Sequence, residues 1–138
     1  MGRSATADEL SRFITLSAGE VFPKMLKDKS YRLLPRDSFR DLMVRGQMPK
    51  PKYATDIFDC DDWALCFDAD MRRAWANRSR GKEALACGQV LLTRPSGARH
   101  AQNWYMDAEL VFRLLEPQSW IEDIAPFGDV KRIEQLTG

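Results

Sequence analysis

Apolar residues between Ala7 and Gly19 fall at near-helical intervals. Leu10, Phe13, Ile14 and Leu16 line one side, with Thr6 or Asp8 available as N-cap and Gly19 as a stop. Pro35 precedes a second amphipathic stretch, RDSFRDLMVRG, which Asp37 or Ser38 can cap and Gly46 can end. GQMPKPKY follows, and its prolines predict an exposed connection. The longest periodic run goes from about Asp59 to about Asn77, where Cys60, Trp63, Phe67, Met71 and Ala74 recur every three or four positions. That spacing predicts a central helix with Cys60 on its buried face in the first turn. Asp59, Asp61 and Asp62 sit at its positive end, and Arg72, Arg73 and Arg78 lie toward its negative end.

After NRSRGKE the period shortens to that of strands. ACGQVLLTR, HAQNWYMD and LVFRLLEP read as three strands, the first two separated by the turn RPSGAR. Trp120, Ile121, Ile124 and Phe127 then mark an irregular apolar segment, and DVKRIEQL reads as a short closing helix. Helices first and an antiparallel meander afterwards predict one α+β domain over residues 1–138, with the central helix packed on the sheet.

Composition narrows the classes. The 138 residues are 44% apolar and 30% charged, ordinary values for a folded domain, and 21 Lys and Arg stand against 20 Asp and Glu. That balance gives no general nucleic-acid signal. No apolar run reaches the roughly 20 residues that span a bilayer, and the opening MGRSATADELSRF lacks a signal-peptide core, so a cytoplasmic location is expected. Three cysteines without a CxxC pair, and one histidine, make neither a disulfide framework nor a usual closed zinc site.

His100 draws attention as the sole histidine. A hairpin of HAQNWYMD and LVFRLLEP with its loop centred on Ala108 would set His100 directly opposite Glu116, with Cβ atoms about 5 Å apart. The carboxylate could then orient the imidazole. Alternation puts Asn103 on the other face. A thiol at a helix N-terminus gains thiolate character from the dipole, and Cys60 is the cysteine so placed.

DCDDWAL, HAQNWYMD and LLEPQ, in that order over residues 59 to 118, resemble the papain-like cysteine peptidase domain at the C-terminus of a fungal agglutinin and its bacterial and phage relatives. The resemblance implies a papain-like small domain in which Cys60 is the nucleophile, His100 the base and Glu116 the orienting acid. It also implies calcium dependence, which would give Asp59, Asp61 and Asp62 a metal-binding role beside helix capping. The chain departs from papain-like enzymes in having no Gln a few residues before Cys60. Gln47 is thirteen positions away.

Two functions follow as expectations. One is a thiol hydrolase or transamidase acting on peptide or amide bonds of a peptide or protein substrate. The other is a catalytically silent papain-like binding protein, such as a phage or mobile-element inhibitor of a host protein with an anti-CRISPR-like role. The basic run RRAWANRSRGK around Trp75 reads as a solvated helix end, with phosphate contact as its alternative. Trp104, Tyr105 and Trp120 read as packing residues, with an aromatic-lined cleft near His100 as the alternative.

Overall fold

A computed structural model describes residues 2–138. It contains nine strands and three helices among those residues. Strand β1, Arg3–Thr6, leads into helix α1, Ala7–Ala18. Thr6 is the N-cap: its hydroxyl accepts from the Glu9 amide, and the Glu9 carboxylate accepts from the Thr6 amide in return. Gly19 ends the helix at φ 79°, a conformation open to glycine without a Cβ penalty. Short strands β2, Lys24–Met25, and β3, Ser30–Leu33, precede helix α2, Arg36–Gly46. The α2 N-cap is Pro35 rather than Asp37 or Ser38, and no side chain caps it. Proline suits a helix start because its missing N–H removes a donor that would lack a partner.

Helix α3, Cys60–Ser79, is the longest element. Its buried side is formed by Ala64, Phe67, Asp68, Asp70 and Met71. The predicted stripe is therefore corrected in its first turn, since Cys60 and Trp63 are only half-buried. The remaining strands are β4, Ala84–Leu85; β5, Cys87–Thr93; β6, Arg99–Met106; β7, Phe112–Leu115; β8, Glu122–Ile124; and β9, Arg132–Thr137.

The expected closing helix is absent, and β9 takes its place. Ile133 and Leu136 stand three apart, which reads as helical, yet both are buried in the same cluster as Val90 and Leu92. The β5–β9 register explains this. Val90 faces Leu136 and Leu92 faces Ile133, with a slip between Leu91 and Leu92. The extra residue, Glu134, forms a bulge that turns an odd spacing onto one face.

Two sheets result. The smaller has order β1-β3-β4, and the larger β2-β9-β5-β6-β7-β8. Pairings are mixed, because β2 runs parallel to β9 and β3 parallel to β4. The antiparallel meander is thus the β5 to β8 part of a larger plan. Helix α1 packs Leu10 and Ile14 against Trp104, Val90 and Leu136. Helices α2 and α3 pack Phe39, Met43, Phe67 and Met71 against Cys87, Tyr105 and Leu115 on the opposite face. Odd and even residues of β6 thus face different helices, as a two-residue pleat requires. Tyr105 stacks on Phe39 with ring centroids 3.7 Å apart and planes 4° from parallel.

Candidate functional site

The β6–β7 loop is centred on Glu109, one residue later than predicted. Met106 pairs with Phe112 and Asn103 with Leu115. Each partner therefore shifts by two positions, and parity is kept. His100 and Glu116 become diagonal neighbours on one face, close enough for His100 Nε2 and Glu116 Oε2 to lie 2.7 Å apart. Gln102 donates to the same Oε2 at 3.2 Å, and the Gln118 amide donates to Oε1 at 3.3 Å. Burial pushes the Glu116 carboxyl up, but the hydrogen bond and charge of His100, then the Gln118 and Gln102 amides, outweigh it and hold it below the ordinary range.

Cys60 opens α3 and is half-buried. No hydrogen bond joins it to His100 or Glu116 among the described residues; the ring's partner is the carboxylate. Asn103 points to the α3 side, as alternation predicts, and donates to the Ala64 and Gly88 carbonyls at 2.9 and 3.1 Å. It fastens α3 to the sheet.

Asp59 is the α3 N-cap, and its amide donates to the Asp62 carboxylate at 3.1 Å. Carboxylate oxygens of Asp59, Asp61 and Asp62 lie within 4.8 Å of one another. A hydrogen bond shared with Asp61 holds the Asp59 carboxyl above its ordinary range, and the same bond holds Asp61 below. Hard oxygen donors in this arrangement suit a divalent cation. Calcium takes six to eight oxygens, so this trio supplies part of a shell.

Beyond the first turn of α3 lies a cleft of about 340 Å³, lined by Gln47, Met48, Lys50, Trp63, Gln118 and Trp120 together with two prolines. Trp63 Nε1 is buried with no hydrogen-bond partner. Lys50 Nζ stands 5.8 Å from the Trp63 ring centroid. It is held by Asp70 at 3.0 Å, Gln47 Oε1 at 2.8 Å and the Met48 carbonyl at 2.8 Å. The Met48 amide also donates to Asp70, at 3.0 Å. One buried carboxylate therefore pins the whole Gln47–Lys50 wall. Sequence reasoning set Gln47 aside because it lies thirteen positions from Cys60, and it took Trp63 for core. The aromatic-lined cleft expected near His100 does not form from Trp104, Tyr105 and Trp120: the first two are buried, and Trp120 instead lines this cleft with Trp63.

No family model matches the chain, and no curated protein matches it. Solved structures do. The chain is similar to the PSL1a–E64 complex, at 24% identity and TM-score 0.81, over 98% of this chain and 51% of that one. It is also similar to the Polyporus squamosus lectin bound to the human-type influenza-binding epitope Neu5Acα2-6Galβ1-4GlcNAc, at 23% identity and TM-score 0.72, over 87% of this chain and 45% of that one. The chain thus spans about half the length of each. At these identities the likeness concerns fold alone. It corrects the peptidase resemblance: the matches are to PSL1a and to the Polyporus squamosus lectin, and what is shared with about half of each is a small α+β architecture of three helices and mixed sheets. The thiol hydrolase, transamidase and anti-CRISPR-like inhibitor expectations, drawn from the peptidase resemblance, fall with it. Among the described residues, no helix is long and apolar enough to cross a membrane.

Proposed function

We propose that this chain is a carbohydrate-binding module whose cleft between the start of α3 and the β7–β8 turn takes a short glycan. The observation that carries the reading is a pair of indoles, Trp63 and Trp120, that line one cleft together with Gln47 and Gln118. Sugar rings present apolar C–H faces edged by hydroxyls. Trp63 and Trp120 offer flat apolar surface, while Gln47 and Gln118 offer amide donors and acceptors at the rim. The lectin whose fold is similar was seen with a sialylated trisaccharide, which supports a glycan as the ligand class.

In this reading Glu116 and His100 are positioning residues. Glu116 accepts from Gln118, and its backbone bonds to Ile121 and Trp120, so the pair fixes the turn that carries half of the cleft wall. Cys60 opens the helix whose first turn bears Trp63. Asp59, Asp61 and Asp62 are assigned to a calcium ion, which would relieve the repulsion among three carboxylates crowded at one helix end. Calorimetric titration with calcium should give heat with the wild type and none with Asp61→Asn. Absence of heat from the wild type means the trio serves the helix end only.

A panel of immobilised oligosaccharides, including α2-6-sialylated lactosamine and its neutral counterpart, tests the main reading. Wild type should bind at least one member, and Trp120→Ala should weaken that binding about tenfold or more. A panel with no binder, or binding indifferent to Trp120, ends the proposal.

A further inference from the structure

A second indole lies near the other end of α3. Trp75 lies three turns beyond Trp63, about 18 Å along the axis at 1.5 Å per residue, too far for the two to share one sugar ring. It borders two adjoining clefts of about 350 and 330 Å³, which have Trp75, Ser79, Lys82 and Glu83 in common. Its Nε1 donates to the Glu83 carbonyl at 2.8 Å, so the ring is locked in place with its side half-exposed.

The charges around this indole are unequal. Glu83 is neutralised within the protein: Arg32 approaches its Oε1 at 2.6 Å and Ser30 donates to Oε2 at 2.9 Å. Arg72 is likewise committed to Asp68 at 3.1 Å. Lys29, Arg78 and Lys82 line the same clefts, are exposed, and form no ion pair among the described residues. Asp28 is the one remaining acid in the lining. Three uncommitted cations against one carboxylate leave a local positive excess, on a chain whose Lys and Arg exceed its Asp and Glu by one.

We infer that the Trp75 clefts form a separate binding site for an acidic oligosaccharide, one bearing sulfate or carboxylate groups. The indole supplies a plate for a sugar face, and Arg78, Lys82 and Lys29 meet the anionic substituents. The near-zero charge of the whole chain distinguishes this spot from a polynucleotide track, which needs a longer basic stripe to follow successive phosphates. A compact spot fits one or two acidic sugars.

Calorimetry with the intact chain and a heparin-derived hexasaccharide tests this, with the chemically desulfated hexasaccharide as control. Binding should be lost on desulfation and should weaken when salt is raised from low to physiological strength. Because both side chains are exposed, the double variant Arg78→Ala/Lys82→Ala should fold as wild type and bind about tenfold or more weakly. Trp120→Ala, which disables the other cleft, should leave this binding unchanged, so the two sites fail independently. Equal binding of the desulfated sugar, or unchanged binding by the double variant, overturns the assignment. So does displacement of the hexasaccharide by an equal concentration of single-stranded oligonucleotide, which would identify a nucleic-acid site.

Discussion

Glu116 divides its carboxylate between two tasks. Oε2 takes His100 and Gln102 from β6, and Oε1 takes the amide of Gln118 in the following turn. Glu116→Gln keeps the shape and loses the charge, and it should cost about 1–3 kcal/mol in a denaturant melt, with the glycan cleft weakened in parallel. The acid response has a definite sign. A carboxyl held below its ordinary range stabilises the fold fully above the unfolded glutamate value of about 4.3, and that contribution is lost as pH falls through the lower folded value. Stability of wild type should therefore fall more steeply below pH 4 than that of Glu116→Gln, as read by thermal melts across that range. Gly88 is a residue whose identity the packing forces. A Cβ there would stand 1.9 Å from the Thr137 carbonyl oxygen and 2.8 Å from Trp104 Nε1. Gly88→Ala should cost about 3 kcal/mol or more, because β9 must move away from β5 to admit it.

Glu122 joins more elements than any apolar contact suggests. From β8 it accepts from Arg36 at 3.0 Å and pairs with Arg40, both on α2. It also meets Arg113 of β7 at 3.3 Å and accepts from the Tyr105 hydroxyl of β6 at 2.8 Å. Burial raises the Glu122 carboxyl, and hydrogen bonds from Arg36, Tyr105 and Arg40 reverse the shift and hold it low. Glu122→Gln leaves Arg36 and Arg40 short of their partner, while Arg113 keeps Asp107 at 2.9 Å, and chemical denaturation should show a loss of about 3 kcal/mol. Nothing local marks this residue in the sequence, because its partners come from three distant segments. The same holds for Asp68 and Asp70, which the helical pattern left polar but which α3 buries. Asp68 is satisfied by Arg72 and Gln89, and Asp70 by Lys50, Arg73 and the Met48 amide. By contrast, α1 with Thr6 as one of its two candidate caps, and the strands of the β5–β6 hairpin, were legible because their determinants are neighbours in the chain. Parity also survived the slip of the β6–β7 loop, so the His100–Glu116 pair was found despite the wrong centre. The strand β9 was not legible, since a bulge at Glu134 gives it the spacing of a helix. Removing Glu134 would leave Ile133 and Leu136 two positions apart and still on one face, so circular dichroism of that deletion variant should show the cooperative melt retained.

At the scale of the molecule, mixed pairing ties β9 to the segment that runs from β2 to β3. Tyr31 donates its hydroxyl to the Gly138 carbonyl at 3.1 Å, and the Lys27 amide donates to the same oxygen at 2.9 Å. The cleft was illegible for a related reason. Gln47, Trp63 and the Gln118–Trp120 pair lie on three separate segments, and only the packing of α2, α3 and the β7–β8 turn gathers them. Charge separates along α3, with acids at Asp59, Asp61 and Asp62 at its start and exposed cations at Arg78 and, just past its end, Lys82.

The strand order gives the last element a central seat, with β9 between β2 and β5. During synthesis, β5 through β8 can assemble while the flank of β5 stays open, a template for any passing extended peptide. Closure waits for β9 to enter a slot bounded by β2 and β5, a distant pairing of the kind that slows folding. Nascent chains stalled before Arg132 should thus accumulate as sticky intermediates, and a synthetic peptide matching 132–138 should rescue them from precipitation.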